Sequence, residues 1–450
     1  MTTIQDFPTE LLCSIFQMVQ GRDRRPRTSA SLSYFRSRLR SLVTLSLVCK
    51  GWHKATLEYG ILWSSVPVDT SRPDCLESTS TILERSSGAE LELSVYLDAF
   101  SAVFGCTQTI LGTLKHHGTR IRSLHLDAGS HCIPGRGTQL PEVVTNAFAA
   151  INEFILPELH PSTQRAINPF QSLSSLSLSL PASAAAVNAT AILGIINSCV
   201  GLERLSLVSF YAINKDCPPT SAIRMPNLLR VSLRDCDSAT VLSYIITPTT
   251  SVIDVVMNPR SMRRSPAHAH ILVAFPHSPA NTCALKESTK LILEEDENRH
   301  EFSLGLGPLR SKTSSLVITN RCPPSERFIP RTLSAIAAHP YFGAIRSFTF
   351  SCTSCAPASW PLVLDGFPLL SEFNTSVRHA SDVMCALMHT RPDRSPICLF
   401  LERIRFRAHW GGEGHGIYPQ SVNSFRQFRA ELHCSAVRIT LHYPGGMKEL

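Results

Sequence analysis

Short apolar runs of the form apolar-x-x-apolar-x-apolar recur along most of the chain, and their spacing constrains the fold more than any other feature. Six are clear: Ile121/Leu124/Leu126, Leu173/Leu176/Leu178, Leu202/Leu205/Leu207, Leu228/Val231/Leu233, Ile345/Phe348/Phe350 and Leu401/Ile404/Phe406. Weaker ones centre on Leu91/Leu93, Ile253/Val255, Leu291/Leu293, Leu316/Ile318, Phe373 and Ile439/Leu441. Each run has the alternation of a strand with one buried face. The pattern is loose enough to recur by chance in an apolar chain, so context carries the reading. Loop signals precede several runs (NPFQSL, CVGLERL, RMPNLLRV, GFPLLSEF). Helical candidates lie between them, at 182–199, 332–339 and 380–389. From Leu176 onward neighbouring runs stand mostly about 22–38 residues apart, the spacing of a strand-plus-helix repeat. Strand–helix–strand order predicts parallel strands in an α/β arrangement.

Such a repeat is of the leucine-rich-repeat class, and the irregular spacing makes it a degenerate solenoid; a single conventional α/β domain is the plainer alternative. In these strands the residues between apolar positions face outward. That places Arg230, Ser232 and Arg234 on one face, and Arg403, Arg405 and Arg407 with Arg438, Thr440 and His442 on the same type of face. If the strands stack side by side, these side chains form a partly basic surface for an acidic or phosphorylated protein segment. Ordinary solvated strand residues are the plainer explanation.

The first 66 residues read differently. Phe7-Pro8-Thr9-Glu10 opens a helix, with proline preorganised for the first turn and a carboxylate at the positive end of the dipole. Leu11, Leu12, Ile15, Phe16 and Val19 then form a stripe of period 3.6, and Gly21 ends it. Leu42, Leu45, Val48, Cys49 and Trp52 are expected on a second helical face; Ile61, Leu62 and Trp63 close the unit before Pro67. Three short helices hold a small core, and this unit has more apolar surface than that core needs. Surplus of this kind points to a partner, although a helical cap on the repeat body would share the pattern.

FPTELLCSIFQMV, then LVTLSLVCKGWHKA, then ILWSSV resembles the F-box motif, through Pro8, Glu10, Leu11, Leu12, Ile15, Phe16, Leu47, Val48, Cys49, Lys50, Trp52 and Trp63 in order. Phe7 replaces the usual leucine, and the link from about residue 20 to 38 is longer than usual. The resemblance implies binding to a Skp-type adaptor and through it a cullin, with a C-terminal body that selects a protein substrate for ubiquitination. It also implies that Pro8, Leu11, Leu12, Ile15, Phe16, Leu45, Val48 and Trp52 bury against the adaptor or fix the helices that do. The expected organisation is a helical domain over 1–66, a connector over 67–84 and a substrate-binding body over 85–450.

Other function classes find little support. Arg22, Arg24, Arg25, Arg27, Arg36, Arg38 and Arg40 against Asp23 put +6 of the net +8 charge within 21–40. Without interleaved aromatics this reads as a solvated basic loop, not a nucleic-acid patch. Fifteen scattered cysteines fit reduced thiols, and MTTIQDFPTE carries no signal peptide, so a cytoplasmic or nuclear location is expected. The uncharged stretch 170–202 is too rich in serine and alanine for a membrane span. Cys352-Thr-Ser-Cys355 lacks a second pair for zinc. The glycines of 411–416 lack a P-loop lysine, and His116-His117 and His268-x-His270 read as surface histidines. The acidic run 294–297 reads as a solvated turn. No catalytic residue, metal ligand or cofactor is nominated.

Overall fold

The structure, a computed structural model, describes residues 7–19, 32–97, 106–127, 171–179, 189–209, 222–236, 238–257, 271–275, 288–296, 301–309, 315–321, 328–352, 360–393, 395–408, 419–443 and 446–450. The chain divides into two units at Leu229/Arg230.

The first unit opens with α1 (Thr9–Val19), α2 (Leu32–Ser46) and α3 (Lys50–Glu58), closed by a 3-10 turn at Gly60–Trp63. Pro8 starts α1 with its carbonyl, which accepts from Leu11 N and Leu12 N at 3.0 and 3.1 Å. The expected single helical face from Leu42 to Trp52 is broken. Leu47 and Val48 form a turn, and Cys49 is extended, with its Sγ accepting from Trp52 N at 3.5 Å. That thiol caps α3, so the apolar spacing runs across two helices.

β1 (Ser65–Asp69), α4 (Cys75–Arg85), β2 (Leu91–Tyr96), α5 (Cys106–Lys115), β3 (Ile121–Asp127), β4 (Ser175–Ser179), α6 (Ala189–Ser198), β5 (Arg204–Val208) and the short β6 (Ile223–Arg224) follow. β1 to β5 pair in sequence order, all parallel. Their register aligns Val66, Leu93, Leu124, Leu176 and Leu205 in one rung, and all are buried. Residues 67–84, expected as a connector, run through the rest of β1 and α4: the Val66/Val68 alternation is a strand signal that Pro67 disguises. Thr70 N donates to Tyr96 O, which sets even positions of β1 toward β2. Pro67 therefore puts its missing N–H on the outer edge, where proline costs no ladder bond.

Gly60 joins helices to sheet at close quarters. A Cβ there would stand 2.4 Å from Ser86 O. Gly60→Ala is expected to cost about 2–4 kcal/mol, because backbone on both sides must shift. A melting curve of the full chain checks this; an unchanged midpoint means the turn is looser than drawn.

The second unit holds β7 (Arg230–Arg234), α7 (Ser238–Tyr244), β8 (Ile245–Ile246), β9 (Val252–Met257), β10 (Lys290–Asp296), β11 (Glu301–Gly307), β12 (Leu316–Asn320), α8 (Phe328–Ala338), β13 (Ser347–Ser351), α9 (Trp360–Asp365), β14 (Glu372–Ser376), α10 (Ala380–Leu387), β15 (Arg403–Arg407), α11 (Pro419–Glu431), β16 (Arg438–Tyr443) and β17 (Gly446–Glu449). The strand order here is β7-β9-β12-β11-β10-β13-β14-β15-β16-β17. The expected parallel pairing holds except where β11 runs antiparallel between β10 and β12 and where β17 turns back on β16. The acidic run expected as a turn is mostly strand. Glu294 and Asp296 lie in β10, opposite Ser303 and Glu301, and Glu297 lies outside the described residues.

One face of this sheet is packed by aromatics. Phe348 stands 5.3 Å from Phe373 and 5.1 Å from Phe367, and Phe350 meets Trp360 edge-on at 5.1 Å. The turn before β15 is held by a buried cation. Arg429 of α11, 3% exposed, donates to the carbonyls of Cys398, Leu399, Leu401 and Ser435 at 3.1–3.3 Å. Cys398 itself adopts φ +56° and lends its thiol to Leu364 O. Among the described residues no helix is long and apolar enough to cross a membrane.

Candidate functional site

The three N-terminal helices enclose a small aromatic core. Phe16 is fully buried and meets Trp52 edge-on, with centroids 4.9 Å apart. Trp63 donates its indole N–H to Thr56 O at 2.6 Å, and the Arg85 guanidinium stacks over its ring at 4.5 Å. Leu12, Cys13, Leu42 and Ala55 fill the remainder. Burial, with the nearby Glu10 carboxylate, pushes the Cys13 thiol up to about 11, so it stays protonated and acts as a small apolar filler.

Outside this core lies an unusual amount of apolar surface. Phe7, Leu11, Met18, Val19, Val43, Leu47, Val48, Leu57 and Ile61 are exposed, nine of the twenty exposed large hydrophobic residues among those described. Leu47 is the most exposed of all, at 77%. A marginal helical domain gains nothing from displaying these groups to water. Between α1 and α3 runs a groove of about 180 Å³ lined by Phe7, Leu12, Cys49, Trp52, Ala55 and Glu58. The Trp52 Nε1 hydrogen has no acceptor there.

The structure separates the expected adaptor residues into three groups. Leu12 and Phe16 are internal and fix the helices. Pro8, Leu11 and Val48 are exposed, while Ile15, Leu45 and Trp52 are half-buried. Met18, Val43 and Leu57 were not singled out by the sequence, and Val19 and Ile61 were read only as part of the helical unit. Met18 lies seven residues beyond Leu11, two helical turns along one stripe, which is the signal that could have found it.

The basic segment is not simply a solvated loop. Arg36 and Arg38 lie on α2; Arg36 pairs with Asp69 of β1, and Arg38 pairs with Glu92 of β2 at 3.1 Å. Arg38 is 5% exposed and also packs its guanidinium on the Tyr34 ring. The second helix is thereby fastened to the polar face of β1 and β2. Arg22, Arg24, Arg25 and Arg27 lie outside the described residues.

The outward arginines divide as well. β15 pairs with β14 and β16 in the register Glu372–Arg403–Arg438, Asn374–Arg405–Thr440 and Ser376–Arg407–His442. Arg403, Arg405, Arg407 and Arg438 are thus neighbours, as expected. Arg230 and Arg234 are on β7, seven strands along the sheet from β15. At about 4.8 Å per strand that is about 34 Å. They share the polar face of the sheet but not the patch.

The motifs that failed as chemistry gain no support for it. Cys352 is fully buried and its carbonyl meets His379 Nε2 at 2.9 Å, while Cys355 lies outside the described residues. His117 contacts Arg120, and burial lowers its pKa. His268, His270 and the glycines of 411–416 also lie outside the described residues. Among the described residues no three His, Cys, Asp or Glu side chains converge as a metal site.

No curated protein matches the chain at a significant level. The family model described as F-box-like matches residues 4–66, the segment that builds these helices and their exposed apolar face. The chain therefore carries an F-box-like domain at its N-terminus.

Proposed function

We propose that this chain is a substrate-recognition subunit of a Skp–cullin–F-box type ubiquitin ligase. Its helical domain binds a Skp-type adaptor, which tethers it to a cullin, and the sheet-bearing remainder, read as a degenerate leucine-rich-repeat-like body, binds a protein substrate. The chain itself is non-catalytic in this reading and works in the cytoplasm or nucleus. The observation that carries it is the concentration of exposed apolar side chains on the F-box-like domain, around Leu11, Leu47 and Val48. Such groups bind by burial against a partner helix. Their own core, by contrast, is already complete around Phe16 and Trp52.

Co-expression of the full chain with a Skp-type adaptor tests the reading. A stable complex on size exclusion, able to retain a cullin N-terminal domain, is the expected result. Separate elution of a folded chain and a folded adaptor overturns it and leaves the second reading, an interaction scaffold without a ligase. That alternative rests on the same polar sheet face.

A further inference from the structure

On the substrate-receptor reading, we infer that the outward face of β14–β16 binds an extended acidic peptide segment with carboxylates at alternate positions. The argument begins with charge balance across three rows. In the first row Arg403 is neutralised by Glu372 at 2.6 Å, and Arg438 lies 3.8 Å from Glu449. The carboxylates of these strands are spent there. Within β14–β16 the next two rows, Asn374–Arg405–Thr440 and Ser376–Arg407–His442, contain no acid; Glu449 of β17 stands opposite Thr440 but is the carboxylate that Arg438 meets. Among the described residues Arg405 and Arg407 form no ion pair. The His442 Nε2 and the Asn374 Oδ1 beside them have no hydrogen-bond partner.

Geometry then selects the ligand. Arg405 and Arg407 stand two residues apart on one strand, so their stems are about 6.6 Å apart. An extended peptide repeats side chains on one face at the same interval. Two of its carboxylates can each meet one guanidinium. The outward positions of β13–β16 carry no Phe, Tyr or Trp, so the face lacks the stacking platforms of a single-stranded nucleic-acid site. Ion pairs on a sheet face are directional through the guanidinium fork, which gives an alternating pattern its advantage.

Fluorescence polarisation with the full-length chain and three labelled probes tests this. The probes are a short peptide alternating Glu and Ser, an isomer with the same glutamates at every third position, and an oligothymidylate of equal length. The alternating peptide is expected to bind saturably, about tenfold more tightly than the isomer, and to weaken with salt. Arg405→Glu with Arg407→Glu should weaken it by one to two orders of magnitude, about 1–3 kcal/mol. Arg230→Glu with Arg234→Glu should change nothing. Should the double variant melt lower, Arg407→Glu alone, at an exposed position, reads the same contact. No saturable binding, equal binding of the isomer, undiminished binding by the reversed variants, or oligothymidylate binding as tightly as the peptide overturns the inference. Adaptor capture is measured on the same variants. Its retention when peptide binding is lost shows that this inference and the ligase reading stand or fall separately.

Discussion

Replacing Leu11, Leu47 and Val48 together by aspartate is expected to abolish capture of a Skp-type adaptor while moving the melting midpoint of the full chain by no more than about 2 °C. All three side chains are at least half exposed, so the fold loses little when they turn polar. An apolar anchor buried at an interface contributes about 2 kcal/mol. Losing three, and placing carboxylates against a partner's apolar surface, removes about 5 kcal/mol or more, a loss of several thousandfold in affinity. Phe16→Ala makes the informative contrast. It opens a cavity beneath Trp52 and should cost about 3–5 kcal/mol of a small domain's stability. It too loses the adaptor, but with a loss of helical signal that the aspartate variant does not show. If the aspartate variant still co-elutes with the adaptor, the exposed face has been assigned to the wrong partner.

The second large effect is expected at Arg429. Arg429→Met keeps much of the apolar stem and the volume but removes every donor, leaving the carbonyls of Cys398, Leu399, Leu401 and Ser435 without their shared partner. Cys398 O keeps the bond it accepts from Leu401 N, and the Leu399 and Ser435 carbonyls are only partly buried, so a loss of about 1–3 kcal/mol is expected in denaturant unfolding. The turn it holds leads through Leu401 and Glu402 directly into β15. Hydrogen exchange should therefore rise at Arg403–Arg407 before it rises at β13, which the Phe348 and Phe350 rings hold independently. A Met variant as stable as the parent would show that the carbonyls find water instead.

These two sites differ in how visible they are before the fold is known. The α1 stripe is written in residues three and four apart, and each of the six clear apolar runs leads into a strand: β3, β4, β5, β7, β13 and β15. Local periodicity records which face is buried, so it recovers strands and helices well. It does not record where one helix stops when apolar spacing continues across the break, as at Cys49. It also misses β11, whose Phe302, Leu304 and Leu306 alternate on one face but follow the acidic end of β10. Long-range pairing is invisible altogether. Arg38 looks like one more charge in a basic stretch until Glu92 is set beside it, 54 positions away. Arg429 is likewise an ordinary helical arginine until the turn at Cys398 folds over it. Within the F-box-like domain, the same limit explains why Leu12 and Phe16 could not be told from Leu11 and Val48. Each lies in an apolar run of the helical unit, and only packing decides which are spent internally.

Pro67 has a consequence for how many copies of this molecule can gather. A sheet that starts on a bare edge invites a second chain to zip on and polymerise. Here β1 presents a position with no amide hydrogen to give, so an incoming strand meets a gap in its ladder at the centre of five residues. The terminal strand is thus sterile toward its own kind. Restoring a donor there, as Pro67→Val would, trades that sterility for concentration-dependent self-association.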